Sequence, residues 1–352
     1  MSGVWLVTGG AGFIGGNFVR LALREAGVRM VVLDALTYAG DLGRIDDLLD
    51  GSRVEFVRGD IRDPGLVREL FARHEVSKVI HFAAETHVDR SIDGPRDFIS
   101  TNIEGTVNLL EAARAAWRDD GDKVFLHVST DEVFGALGLD DAPFDEGSPY
   151  RPNSPYAATK AAADHIVRAW RNTYGLPAIV TNCSNNYGAW QHPEKLVPLI
   201  ILNAWEGREL PIYGDGLQVR DWLHVEDHCE ALLAVATRGR PGETYVIGGA
   251  AERSNLDIVH AICDCVDRLK GDGTASRALI RHVADRPGHD RRYAINFAKI
   301  ARELGWRPRH APEAALPEVV RWYVGNKGWV DRVRSGEYQE YYQNRYGAPL
   351  QV

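Results

Sequence analysis

The chain opens on the apolar run VWLVT and passes directly into GGAGFIGG, which sets Gly9, Gly12 and Gly15 between a strand and a helical stretch from Phe13 to Arg24. That order restricts the fold more than any other feature of the sequence. Glycines at this spacing let the backbone turn tightly, approach a pyrophosphate and present helix N-terminal N–H groups to it. A second strand, MVVLD, ends in Asp34, about 20 residues downstream, as a dinucleotide-binding turn requires.

The alternation then continues through VEFVRGD, a helix over Leu66 to His74, KVIHFAA, a helix over Asn102 to Trp117, and KVFLHVST. Apolar strands joined by helices predict βαβ units and a parallel sheet covered on both faces, with the ligand at the strand C-terminal ends. The expectation is an α/β fold: a Rossmann-type doubly wound parallel sheet with a smaller mixed α/β substrate-binding domain. After AIVTNCSNNYG the pattern loosens, with Pro193, Pro198 and Pro211, a short strand at ETYVIGG, and helices near Asn255 to Arg268 and Ala314 to Val324. Residues 1–184 read as the dinucleotide-binding domain. Residues 185–352 read mainly as the substrate domain, with interleaving left open because no Pro/Ser-rich linker separates them.

With 352 residues, 45% of them hydrophobic, the chain can bury a sizeable core, and its net charge of -8 argues against a nucleic-acid surface. No apolar run approaches the roughly 20 residues that span a bilayer, and a cytoplasmic location is expected. Cys183, Cys229, Cys263 and Cys265 form no CxxC pair or zinc-spaced cluster. They read as small core residues, and no metal is expected.

Asp34 at its strand end would accept hydrogen bonds from the adenosine ribose and repel a 2′-phosphate, which favours NAD over NADP. Farther on, Asp60 and Ile61 in GDIRD are placed to flank the adenine, although Asp60 could equally cap the helix before Pro64.

Two motifs carry the chemistry. Tyr156 and Lys160 lie four apart in SPYAATK, on one helical face, so an ammonium sits beside a phenol. Lowering a tyrosine from its reference pKa near 10 by about three units takes roughly 4 kcal/mol, which the lysine and a positive nicotinamide ring could supply. Thr130, Asp131 and Glu132 follow the strand KVFLHVS. Adjacent carboxylates facing a cleft tend to divide into an acid and a base, as elimination of water requires. An acidic helix N-terminus would produce the same letters.

Through TGGAGFIGGNFV, HFAAETHVDRSI, HVSTDEVFG, SPYAATKAAAD, NCSNNYGAWQHPEKLVPL, VRDWLHVEDHCEAL and DRPGHDRRYAI the chain resembles the RmlB-type dTDP-glucose 4,6-dehydratases, extended short-chain dehydrogenase/reductases. The resemblance spans nearly the whole chain. It implies that Tyr156 removes the O4 proton as the C4 hydride leaves for NAD, Glu132 abstracts the C5 proton, Asp131 protonates the departing O6 hydroxyl, and the hydride returns to C6. Thr130 would orient O4, and Lys160 the nicotinamide ribose. It further implies cofactor contacts at Phe13, Ile14, Thr37 and Ala83. For the substrate, dTDP-glucose, it implies His87, Asn185, Glu194, Lys195, Leu196, Arg220, Asn255 and His289. A homodimer paired through the Asn102–Trp117 and YxxxK helices follows by the same analogy. Departures are Ala35 after Asp34, Thr86 in the AETHVDRS stretch, and Ala250-Ala251 before Glu252; they touch the adenosine and nucleotide loops rather than the proton-transfer groups.

Two other readings stay open. A 4-epimerase or decarboxylase would share the 4-keto intermediate without losing the C5 proton, and the Asp131-Glu132 pair speaks against it. A catalytically silent NAD-binding protein would keep the fold alone, and retention of Tyr156, Lys160 and both carboxylates speaks against that.

Overall fold

The computed structural model describes residues 3–117 and 121–334; the end of the expected second domain, 335–352, lies outside the described residues. Twelve strands are present among the described residues: β1 Val4–Thr8, β2 Arg29–Asp34, β3 Val54–Arg58, β4 Val76–His81, β5 Val124–Thr130, β6 Ala178–Cys183, β7 Asn185–Tyr187, β8 Leu210–Tyr213, β9 Val219–His224, β10 Thr244–Ile247, β11 Glu252–Ser254 and β12 Ile280–Val283. Seven of them form one sheet in the order β10-β6-β5-β4-β1-β2-β3, and every pairing in it is parallel. The order reverses between β1 and β4. A crevice therefore opens beyond the strand C-termini, where Gly9 follows β1 and Phe82 follows β4.

The strands are apolar because helices cover both faces. The Phe13–Ala26 and Val225–Arg238 helices build the core on one face, with Trp5, Phe18, Leu232 and Val235. Leu70, Leu109, Leu110 and Val167, from the Pro64–Arg73, Thr106–Ala116 and Pro155–Tyr174 helices, build the other. Each such side chain contributes about 1.5–3 kcal/mol on burial. A separate cluster, including Ile200, Val259, Ile262, Leu316 and Tyr323, joins the Leu196–Glu206, Asn255–Lys270 and Pro312–Gly325 helices. Two smaller sheets, β11-β9-β7 and β12-β8, accompany it. Chain order and space part company at β10: it pairs with β6, so a strand from the later half completes the main sheet.

Local sequence explains the element that carries the YxxxK pair. Ser154 caps its N-terminus by accepting from Ala157 N at 3.1 Å, Pro155 fits its first turn, and Gly175 ends it in the left-handed conformation. The Asn102–Trp117 stretch departs from expectation. Pro95–Ile99 runs into a π-helical turn, Ser100–Gly105, before regular helix resumes at Thr106. Asp60 also departs from the capping alternative: Asp63 caps the following helix through Gly65 N and Leu66 N, and Asp60 is held by Arg62.

Candidate active site

One cleft at the switch point is lined by every expected cofactor contact, from Gly9, Gly12, Phe13, Ile14 and Gly15 through Asp34, Thr37, Asp60, Ile61 and Ala83 to Tyr156 and Lys160. Thr130, Asp131 and Glu132 line it too, with Asn185, Glu194 and Lys195. His87, Leu196, Arg220, Asn255 and His289 are not among its lining residues.

The glycine turn fits a dinucleotide. A Cβ on Gly15 would fall 2.2 Å from Gly9 O, and one on Gly9, whose φ is +70°, would fall 2.6 Å from Ala83 N. Only bare backbone permits so tight a turn. Asp34 accepts from Ala11 N at 2.9 Å and Leu36 N at 2.8 Å, which orients its carboxylate at the end of β2 and leaves lone pairs for ribose hydroxyls.

Tyr156 and Lys160 project from the Pro155–Tyr174 helix beside the C-terminal end of β5. Burial, with Glu132 nearby, raises the Tyr156 phenol well above its ordinary value, while a hydrogen bond with Thr130 opposes the rise. The expected lowering called on a positive nicotinamide ring together with Lys160; in the protein alone the lysine ammonium donates to Val128 O at 2.9 Å, and Asp164 is the carboxylate whose charge acts on it most. Asp164, one helical turn beyond the lysine, is fully buried and accepts from Tyr150 Oη at 2.7 Å and Asn182 Nδ2 at 3.0 Å, with His127 Nε2 at 3.2 Å. The chain thus encloses a fixed negative charge behind the Lys160 ammonium.

Asp131 and Glu132 open a 3-10 turn, Asp131–Phe134, capped by Thr130, so the acidic helix start and the reactive pair coexist. Asp131 is 1% exposed; its Oδ1 meets Thr130 Oγ1 at 3.3 Å and its Oδ2 has no protein partner. Burial, reinforced by Glu132, drives its pKa far up. Burial raises Glu132 as well, but Arg286, Lys195 and Arg220 pull it back. Neighbouring carboxylates in unlike surroundings hold their protons unequally.

The remaining substrate candidates surround this pair less tightly. Arg220, buried, donates to Val219 O at 2.7 Å and Asp290 O at 2.9 Å and lies 4.4 Å over the Tyr293 ring. His87 Nε2 stands 3.9 Å from Glu194 Oε2, and Glu194, buried, is pushed up to about 7. His289 Nδ1 is 2.6 Å from Asp285 Oδ1. Asn255 starts its helix beside the capping Ser254, and Leu196 starts another. Sequence reasoning missed Arg286, which follows Asp285 at the start of DRPGHDRRYAI and whose charge reaches Glu132, His87 and His289. It also missed Cys183, taken as plain core: the thiol lines the cleft near Asp131 and Lys160, and burial pushes it up. Arg90, 3.7 Å over the Tyr38 ring and 3.7 Å from Glu194, went unread as well.

Comparison with known proteins places this arrangement. The family model described as GDP-mannose 4,6 dehydratase matches residues 6–319. A dTDP-glucose 4,6-dehydratase of Xanthomonas campestris pv. campestris (strain B100) is 54% identical over 342 residues, 95% of this chain and 97% of its own. The dTDP-glucose 4,6-dehydratase 1 of Escherichia coli (strain K12) is 52% identical over 354 residues, 97% and 98% of the two chains. Among solved structures, DesIV, a dTDP-glucose 4,6-dehydratase of Streptomyces venezuelae crystallised with NAD bound, matches with a TM-score of 0.86 at 46% identity, covering 94% of this chain and 99% of that one. A UDP-glucose 4-epimerase of Thermus thermophilus reaches 0.82 at 28% identity, covering 92% and 99%. The chain belongs to the nucleotide-sugar 4,6-dehydratase family.

Proposed function

We infer that this protein is an NAD-dependent dTDP-glucose 4,6-dehydratase, a lyase that yields the 4-keto-6-deoxy sugar. The observation that carries the reading is the pair Asp131 and Glu132, adjacent at the end of β5 yet in unlike electrostatic surroundings, within the cleft that also holds Tyr156 and the glycine turn. Identity above 50% to dTDP-glucose 4,6-dehydratases over nearly full length supports the same reaction and substrate. NAD, when bound, supplies a hydride acceptor for C4 and later a donor for C6, and emerges unchanged.

The chain's own residues manage the protons. Tyr156 takes the O4 proton, helped by Thr130 and by the Lys160 ammonium. The C4 ketone then acidifies C5, and Glu132, raised by burial but drawn back by Arg286, Lys195 and Arg220, removes that proton. Asp131, kept protonated by burial, delivers its proton to the O6 hydroxyl as water leaves. An epimerase needs only the first of these transfers, so a buried, proton-bearing Asp131 beside Glu132 favours the dehydratase.

Arg220, Asn185, Lys195, Leu196, Asn255 and His289, with His87 and Glu194, are proposed to hold the nucleotide sugar; Arg220 keeps donors beyond the two its carbonyl bonds use. A division near residue 184, a homodimer through the 102–117 and 155–174 helices, and a cytoplasmic location belong to the same reading. Among the described residues, no helix is long and apolar enough to cross a membrane.

Incubation with dTDP-glucose tests the function. The expected product is lighter by one water, carries deuterium at C5 when formed in deuterated water, and appears without net loss of NAD. A product of unchanged mass would contradict the reading.

A further inference from the structure

The segment from Gly188 to Lys195 leads into the Leu196–Glu206 helix and sets Gln191, His192, Glu194 and Lys195 against the cleft. Four consecutive carbonyls in it are held by side chains from distant parts of the chain. Tyr323 Oη donates to Gly188 O at 3.2 Å and to Gln191 O at 2.7 Å. Asn17 Nδ2 donates to Ala189 O at 3.2 Å, and Arg44 Nε to Trp190 O at 3.1 Å. Trp190 sits at φ +71°, a left-handed conformation that a non-glycine residue keeps only where its surroundings impose it.

Asn17 and Arg44 both belong to the dinucleotide-binding region. Asn17 lies on the helix that opens at the glycine turn. Arg44 reaches further: the same guanidinium that holds Trp190 donates through Nη1 to Ala11 O and to Ala39 O, each at 2.8 Å. Ala11 is inside the glycine turn, and Ala39 follows Asp34 in the loop that lines the ribose end of the cleft. The side chain is 1% exposed, with its guanidinium 5.3 Å from the Trp329 ring centre. Burial lowers it to about 10, which leaves it charged at neutral pH. A second tie runs alongside, since Arg20 Nε donates to Arg44 O at 2.9 Å while its own guanidinium lies 5.6 Å over Trp190.

A buried arginine shared among three carbonyls cannot exchange one of them for water, so a shift of the glycine turn must either break a charge-assisted bond or carry the Trp190 loop with it. We propose that Arg44 is a positioning residue that couples the two ligand sites: an occupied dinucleotide site fixes Ala11 and Ala39, these fix the guanidinium, and the guanidinium fixes the loop that bears the nucleotide-sugar contacts. The inference rests on the functional reading above. By linkage, nucleotide binding strengthens NAD retention by the same factor.

Calorimetric titration of dTDP into the full-length protein, freed of NAD and loaded with it, tests the coupling in the unaltered chain, in R44K and in N17A. The unaltered protein is expected to bind dTDP about fivefold or more tightly when loaded. In R44K, where the donors sit on one nitrogen and cannot occupy the separate positions of Nε and Nη1, that ratio falls toward one while loaded protein still binds dTDP. Damage to the structure alone would weaken both titrations together and leave the ratio standing. N17A, which removes only the Ala189 tie, lowers the ratio part of the way and decides the matter if R44K does not fold. A ratio of one in the unaltered protein, or a ratio that neither variant changes, overturns the coupling alone. An unaltered protein that binds neither NAD nor dTDP overturns the functional reading and the coupling with it.

Discussion

Asp131 and Glu132 differ by one methylene and one position, yet their electrostatic surroundings differ sharply. Asp131 has one carboxyl oxygen on the Thr130 hydroxyl and the other facing no protein donor, so burial favours its protonated form. Glu132 senses three cations. Replacing Glu132 by Gln or Asp131 by Asn is expected to slow turnover by about 10²-fold or more. Because either variant can still oxidise C4, the NADH absorbance should build up on adding dTDP-glucose; a near-native rate in E132Q would show that another group takes the C5 proton. Glu194 yields a pH prediction. Its folded value is about 7 against an ordinary 4.5, because burial outweighs Lys195 and Arg90. Between those two values only the folded state holds the proton, so stability is full below about 4.5 and declines as pH rises through 7. The decline is at most about 3 kcal/mol. E194Q should remove it, so the unaltered protein should lose more thermal stability than E194Q between pH 5 and 8. Equal losses would show that Glu194 does not carry the effect.

Caps, turns and periodicity were legible in the sequence because they are local. Gly9, Gly12 and Gly15 announced the turn, and Gly15 offers a direct check: a Cβ there would meet Gly9 O at 2.2 Å and Gly10 Cα at 2.9 Å, both backbone atoms that cannot swing aside. Gly15→Ala is expected to cost about 1–3 kcal/mol in chemical denaturation and to abolish NAD retention. Gly27→Ala meets nothing within 4 Å and should bind NAD normally, its φ of +58° costing about 1 kcal/mol. Retention of NAD by G15A would contradict the cradle. What escaped the sequence was set by contacts between elements. His81 and His127 stand in apolar strands; His81 is satisfied by Thr8 at 2.7 Å and Thr106 at 3.0 Å, and His127 lies 3.2 Å from Asp164. Nothing near them in the chain marks those partners. The π turn at Ser100–Gly105 was hidden likewise, since its Asn102 side chain bonds Glu85, N and O, and Thr159 across the fold.

The chain as folded joins a seven-stranded sheet to a smaller assembly with its own core, and the connection is not where residue order suggests. Strand β10 and the Val225–Arg238 helix return to the main sheet, so the later half helps build the cofactor-binding body before adding its own core. Thr130, Asp131, Glu132, Tyr156 and Lys160, all from the first half, could be read as motifs. The groups that tune them, such as Arg286 and Arg220, come from the later half and meet them only after folding. The whole arrangement implies that one hydride leaves C4 and comes back on the same sugar. Turnover of dTDP-glucose bearing deuterium at C4, in ordinary water, examines that directly. The expected product has lost one water and carries the deuterium at C6; a product that keeps its mass, or one that loses the label to solvent or to free NADH, would contradict the mechanism drawn here.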